Sequence, residues 1–163
     1  SLKLLWNVDI THCPSSQLLE VKLAAAKERV EKNLVDVNDA DEGTFGEDGF
    51  NSPEALWEWL DNNRPEEEKL VLSHGDFSLP NLIASGSYLT GFIDLGQSGV
   101  SDIYQDIALC YRSLLDNLRG KFGVLRTYTE YEVENYGKLF FQKIGIEPDW
   151  DKIKYYILLD ELF

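Results

Sequence analysis

His74-Gly75-Asp76-Phe77-Ser78-Leu79-Pro80-Asn81 is the stretch whose reading decides this chain, and Ile93-Asp94-Leu95-Gly96 completes it. The first segment follows Lys69–Ser73 (KLVLS), whose short apolar run reads as a strand. Leu82–Ala84 and Tyr88–Ile93 read as two more strands, joined at Ser85-Gly86-Ser87 as a hairpin. The order strand, polar loop, hairpin, polar loop brings three oxygen-bearing side chains, Asp76, Asn81 and Asp94, to the ends of neighbouring strands.

Those residue types suit phosphoryl transfer. An attacking hydroxyl must be oriented and must lose a proton, and a carboxylate at Asp76 can do both. A triphosphate arrives with Mg²⁺, a hard cation that takes oxygen ligands and keeps several positions for phosphate and water. The amide oxygen of Asn81 and the carboxylate of Asp94 are the candidate metal ligands. In the protein-kinase pattern the Asn also lies five positions after the Asp and an Asp-Phe-Gly follows downstream; here Gly75 stands for the Arg of that loop and Leu95 for the Phe. Each tripeptide alone is a weak signal. The joint match in order and spacing is a strong one, against the alternative that these are turn residues capping strands.

Outward from this centre the chain is mostly helical. Gln17–Asn33 reads as a helix with Ser15 or Ser16 as cap and Leu18, Val21, Ala25, Val30 and Leu34 as its apolar face. Residues 36–50 are acidic and Gly-rich and read as a loop. Ser52-Pro53 opens a helix to about Asn63 that buries Leu56, Trp59 and Leu60. Helices follow over Asp102–Leu118, Tyr128–Lys143 and from Asp149 almost to Phe163. The fold class is therefore α+β, mostly helical, with a small β-hairpin insert at the catalytic loop. A doubly wound sheet is excluded because strands and helices do not alternate.

The whole chain has 163 residues, a formal net charge of -14 and 44% hydrophobic residues. That is enough apolar material for a core. The acidic balance argues against nucleic acid and favours cationic ligands, although acids also serve solubility. Cys13 and Cys110 make no CxxC pair, no apolar run approaches a membrane span, and no signal-peptide pattern is present; a cytoplasmic protein with reduced thiols is the expectation. Trp57, Trp59 and Trp150 read as packing residues.

On the segments LVLSHGDFSLPN (Leu70–Asn81), GFIDLGQSGVSDIYQDIALCYRS (Gly91–Ser113), PDWDKIKYYILLDELF (Pro148–Phe163) and DVNDADEG (Asp36–Gly43), the sequence resembles the aminoglycoside phosphotransferases, and within them the 3′-O-phosphotransferases. The resemblance covers nearly the whole chain. It implies the C-terminal lobe of a protein-kinase-like fold, with ATP as co-substrate, Mg²⁺ as cofactor and an aminoglycoside of the kanamycin or neomycin type as substrate. By position it implies Asp76 as the catalytic base, His74 as its support, Asn81 and Asp94 as magnesium ligands, and Asp106 as a buried group tying down the catalytic loop. It implies a substrate site formed by Asp39, Asp41, Glu42, Arg112, Asp116, Asp160, Glu161 and the terminal carboxylate of Phe163.

A site for a polycationic sugar needs carboxylates from several segments, each a charge-assisted acceptor, so the chemistry agrees with the resemblance. Gln97 stands where close relatives carry an Arg after Asp-Leu-Gly. No glycine-rich phosphate cover and no strand lysine occur. The nucleotide lobe is expected to be a missing partner, the fragment alone to be inactive, and the face that lobe would cover to invite self-association. A kinase for another small cation or sugar, and a non-catalytic polycation-binding module, remain as alternatives.

Overall fold

The structure is a computed structural model and describes residues 2–86, 88–123 and 126–163. In chain order it contains α1 (Leu2–Trp6), α2 (Leu19–Glu31), α3 (Pro53–Asn62), β1 (Leu70–Ser73), β2 (Leu82–Ser85), β3 (Tyr88–Phe92), β4 (Gly99–Asp102), α4 (Ile103–Arg119), α5 (Glu130–Ile144) and α6 (Trp150–Asp160). Single 3₁₀ turns at Leu79–Asn81 and Leu95–Gln97 carry the two polar motifs.

Local chemistry explains most boundaries. Ser52 caps α3 by accepting from the Ala55 amide, with Pro53 at the first helical position. Asp149 accepts from Lys152 N at 3.0 Å to start α6, and Thr129 with Glu132 forms a reciprocal capping box on α5. Gly120 and Gly145 end α4 and α5 in the left-handed conformation. β2 and β3 pair antiparallel, as the hairpin reading requires, with a bulge between Ile83 and Ala84; of its proposed turn, Ser87 lies outside the described residues.

Three expectations are corrected. No strand was expected between Gly96 and the helix from Asp102; Gly99–Asp102 (β4) pairs antiparallel with β1, from Leu70 opposite Asp102 to Ser73 opposite Gly99. Four residues containing a Gly and an Asp show no period, and only the partner strand makes them a strand. Ser15 and Ser16 do not cap α2. Ser15 Oγ donates to Ser98 O at 2.7 Å, the segment lies along β4, and the Leu19 amide finds an acceptor in the Glu68 carboxylate instead. The apolar face of α2 is turned by one residue: Leu19, Lys22, Leu23, Ala26 and Val30 are buried, whereas Val21 and Leu34 are exposed. The sequence-based face failed because a lysine sits inside the true stripe.

The core lies where α2, α3, α4 and α6 meet. Leu23, Ala26, Leu56, Leu60, Ile103, Ile107, Tyr155, Tyr156, Leu159 and Leu162 are almost fully enclosed there, with Phe77 of the catalytic loop among them. Fully burying side chains of this size contributes about 1.5–3 kcal/mol each. The tryptophans pack as expected: Trp57 donates to Leu23 O, Trp59 lies against Tyr155, and Trp150 against Tyr111 and Phe141. No described helix is long and apolar enough to cross a membrane. Cys110 is buried, and burial pushes its thiol up to about 12, so it stays protonated.

Candidate functional site

The catalytic loop leaves β1 and turns at once into the interior. Gly75 adopts φ +89°, and a Cβ there would meet the Gln97 carbonyl oxygen at 2.1 Å, so the Gly of His-Gly-Asp is required both by conformation and by the approach of the second loop. Asp106, fully buried on α4, gathers the loop. Its carboxylate accepts from His74 N at 2.8 Å, Gly75 N at 3.0 Å and Ser73 Oγ at 2.8 Å. Gln105, the residue before it, donates to Gly75 O. These contacts agree with the loop-holding part the resemblance gave Asp106.

His74 is enclosed, pairs its Nε2 with Ile93 O at 2.9 Å, and packs edge-on against Phe77 and Phe92. It therefore links the catalytic loop to the end of β3 and does not touch Asp76. Asn81 donates its side-chain amide to both the main-chain oxygen and the Oδ2 of Asp76, at 3.0 and 2.8 Å. Its main-chain oxygen accepts from Ile93 N at 3.1 Å, which places Asn81 beside the residue preceding Asp94. Asp94 is exposed and holds a left-handed backbone, φ 57°, an uncommon state that Asp tolerates.

The donor set fits a hard divalent cation. Both amide hydrogens of Asn81 face Asp76, and its Oδ1 and the Asp94 carboxylate have no hydrogen-bond partner among the described residues. Two protein oxygens are what Mg²⁺ commonly takes beside phosphates. No group of three or more His, Cys, Asp or Glu placed to hold a metal ion occurs among the described residues.

Asp76 also borders a cavity of about 560 Å³ between α2, the acidic loop, α4 and the C-terminal turn. Asp36, Asp39, Asp41, Asp116, Asp160 and Glu161 line it. Glu42, grouped with them from the sequence, is exposed and is not among the lining residues. Arg112 is not a free ligand contact. Its guanidinium pairs with Asp160, with Glu161 at 2.7 Å and with Asp41 at 3.5 Å. Lys121 bridges Asp41 at 2.5 Å and Asp116 at 3.2 Å. The Asp41 amide donates to Glu161 at 2.7 Å, closing the acidic loop onto the C-terminal turn.

The charges follow from this arrangement. Burial pushes the Glu161 carboxyl up to about 6, opposed by the Asp41 amide and the Arg112 charge. Burial raises Asp160 as well, against the pull of Arg112. Burial would raise Asp41, but the Lys121 hydrogen bond and the Arg112 and Lys121 charges outweigh it and hold the carboxyl low. The Phe163 main-chain oxygen, expected to face a ligand ammonium, accepts from Arg29, which also donates to Leu162 O at 2.8 Å. Sequence reasoning missed Lys22, Arg29, Asp36 and Lys121. Lys22, Arg29 and Lys121 are ordinary surface residues by type with no motif to mark them; Asp36 opens the acidic segment Asp36–Gly43 but was not singled out within it.

A family profile described as "Phosphotransferase enzyme family" matches residues 2–151. An aminoglycoside 3′-phosphotransferase of Enterococcus faecalis is 41% identical over 163 residues, covering 99% of this chain and 55% of that protein. One from Staphylococcus aureus is 40% identical, with 99% and 56% covered. Among solved structures, aminoglycoside phosphotransferase APH(3″)-Id of Streptomyces rimosus superposes with a TM-score of 0.85 at 24% identity, covering 99% of this chain and 58% of that one. A second structure of it, in complex with ADP and streptomycin, gives 0.82 at 27%, with 99% and 58% covered. The chain thus spans little more than half the length of the relatives it matches. The α+β architecture is that of the mostly helical C-terminal lobe of a kinase-like fold. With the profile running from residue 2 to residue 151 across both polar motifs, this chain belongs to the phosphotransferase enzyme family.

Proposed function

We propose that this chain is the catalytic and substrate-binding lobe of an enzyme that transfers the γ-phosphoryl group of ATP to a hydroxyl of a kanamycin- or neomycin-type aminoglycoside, inactivating the drug. The observation that carries the reading is the position of Asp76. One of its oxygens is held by Asn81, and its residue borders a cavity whose walls are rich in carboxylates from three segments.

The ammonium groups of the drug exchange with Lys121 and share the carboxylates of Asp39, Asp41, Asp116, Asp160 and Glu161. Arg112 keeps the last two from repelling each other and so shapes the wall; it is a positioning residue. Asp76 accepts the proton of the attacking hydroxyl as the oxygen bonds to phosphorus and ADP departs. Asn81 fixes the carboxylate, and Asp106 with His74 fixes the loop that carries it. Mg²⁺ held by Asn81 Oδ1 and Asp94 would neutralise charge on the triphosphate. Orientation in the closed pocket is expected to contribute more than the base.

The test joins this chain to the nucleotide-binding lobe of a relative and measures kanamycin-dependent ADP release. Asp76→Ala should lower turnover by about 10²–10⁴-fold, the usual worth of a general base, while calorimetry still registers the drug. Turnover that survives this substitution would refute the assignment of the base. A matching panel with choline and simple amino sugars separates the antibiotic from other small cations.

A further inference from the structure

Lys22 is a cation on the cavity wall to which the resemblance and the motifs give no purpose, and among the described residues its side chain has neither a salt bridge nor a hydrogen bond. It sits on α2 with 6% of its surface exposed, and that remnant borders the cavity shared with Asp76 and Asp160. Its Nζ lies 5.3 Å from the centroid of the Phe163 ring. Among the described residues no acceptor lies within hydrogen-bond range of it and no carboxylate within 4.0 Å; Arg112 and Lys121, by contrast, each hold two or more. Its Nζ is not among the buried polar atoms left without a partner, so it still reaches solvent at the cavity and its three donors are open to water or to a ligand. Burial holds its pKa below that of an ordinary lysine, against the more distant charges of Asp160, Asp106 and Asp76.

A ligand entering the cavity can therefore take up these donors, and the charge decides what it presents to them. Lys22 repels an ammonium and donates to an oxygen. Everywhere else the described acids of the cavity do the opposite. We propose that Lys22 forms an oxygen-accepting subsite inside the acid-lined cavity, selecting ligands that place a hydroxyl rather than an amine against α2. The subsite rests on the aminoglycoside reading and sharpens it: polycationic sugars enter in the register that turns ammonium groups toward Asp39, Asp41 and Asp116 and a hydroxyl-bearing edge toward Lys22 and Asp76. The same ammonium would also donate to the oxygens of a phosphoryl group, and the experiment separates the two.

Calorimetric Kd values of this chain are measured for two matched pairs, kanamycin A with kanamycin B and paromomycin with neomycin. Within each pair one carbon carries a hydroxyl in the first and an amine in the second. Lys22→Met keeps the apolar stem and removes the charge; Lys22→Gln serves if the first variant does not fold. Removing a positive charge from an acidic cavity strengthens both members of a pair, the amine member more because it carries one more charge; salt screens that long-range share, so the ratios are compared at raised salt, where a close contact survives. In at least one pair the preference for the amine member should rise about tenfold in the neutral variant, about 1.4 kcal/mol, and Lys22→Arg should restore the original ratio. Ratios equal in wild type and neutral variant for both pairs overturn the subsite while leaving the aminoglycoside reading intact. Unchanged ratios with weakened binding of inorganic phosphate overturn hydroxyl selection in favour of phosphoryl binding. Absence of binding by all four drugs to folded wild-type chain overturns the aminoglycoside reading, and the subsite with it.

Discussion

The catalytic loop and the cavity rim are built on opposite principles. Residues 73–81 are held by two main-chain amides and the Ser73 hydroxyl converging on one buried carboxylate, by an enclosed histidine and by the phenylalanine that follows Asp76. The rim is held by partly exposed ion pairs, with Arg112 and Lys121 serving four acids between them. Chemistry at a hydroxyl needs a base fixed within tenths of an ångström, which hydrogen bonds shielded from water supply. Capture of a flexible polycation needs contacts that exchange, and half-exposed ion pairs of small net strength do exchange. Rigidity therefore belongs to the loop and replaceability to the rim.

The largest effect that would break this contrast lies at Asp106. Asp106→Ala leaves the amides of His74 and Gly75 and the Ser73 hydroxyl without their acceptor, at about 1–3 kcal/mol for each buried group. A loss of about 3 kcal/mol or more is expected from urea unfolding. The loss should be insensitive to salt, since the donors are neutral and buried. A loss below about 1 kcal/mol would mean that the loop is held elsewhere.

Glu161 offers an intermediate effect. Its carboxyl, raised to about 6 by burial, is more readily protonated in the folded chain than in the unfolded one. Its contribution to stability is therefore present at pH values below the ordinary glutamate range and is lost as pH rises through about 6. Drug affinity should move the other way, because an ammonium favours the ionised form. Several-fold tighter binding of kanamycin is expected between pH 5 and pH 7, with proton release detectable by calorimetry in buffers of different ionisation enthalpy. Glu161→Gln should flatten both profiles, while the ionisation of Asp160, also raised by burial, leaves a smaller residual slope; Asp41, held low, stays ionised throughout.

The smallest effect sharpens the rim. Lys121 is half-exposed and its pairs with Asp41 and Asp116 are screened by salt, so Lys121→Ala should change the urea midpoint hardly at all. Kanamycin should bind that variant about two- to fivefold tighter at low salt, because its ammonium no longer competes with the lysine, and the gain should fade as salt rises. Weaker binding would mean that Lys121 orders the acidic loop more than it occupies it.

Much of this was legible without coordinates, for reasons that differ by element. The hairpin, α3, α5 and α6 declare themselves through turn residues, a proline at the first helical position, a capping box and an Asp cap, all interactions within a few residues of chain. Asp76, Asn81 and Asp94 were legible because their spacing and order are set by a loop and a hairpin of nearly fixed length. Asp106 was found only through resemblance; a buried aspartate on an apolar helix face looks locally like an error. β4, the register of α2 and the engagement of Arg112, Lys121 and Arg29 could not be read. Each depends on a partner far along the chain, such as Arg29 with Leu162 or Arg112 with Asp160.

The sequence by itself determined the identity and order of the candidate groups, because an aspartate, an asparagine and a second aspartate at those offsets retain their chemistry in any fold that keeps the strands adjacent. Tertiary structure alone decided the character of the cavity: which acids face inward, which already hold a cation, and that a lysine lies among them. Charge acts through space and falls off with distance, and distances between segments more than a hundred residues apart exist only once the core of α2, α4 and α6 has closed.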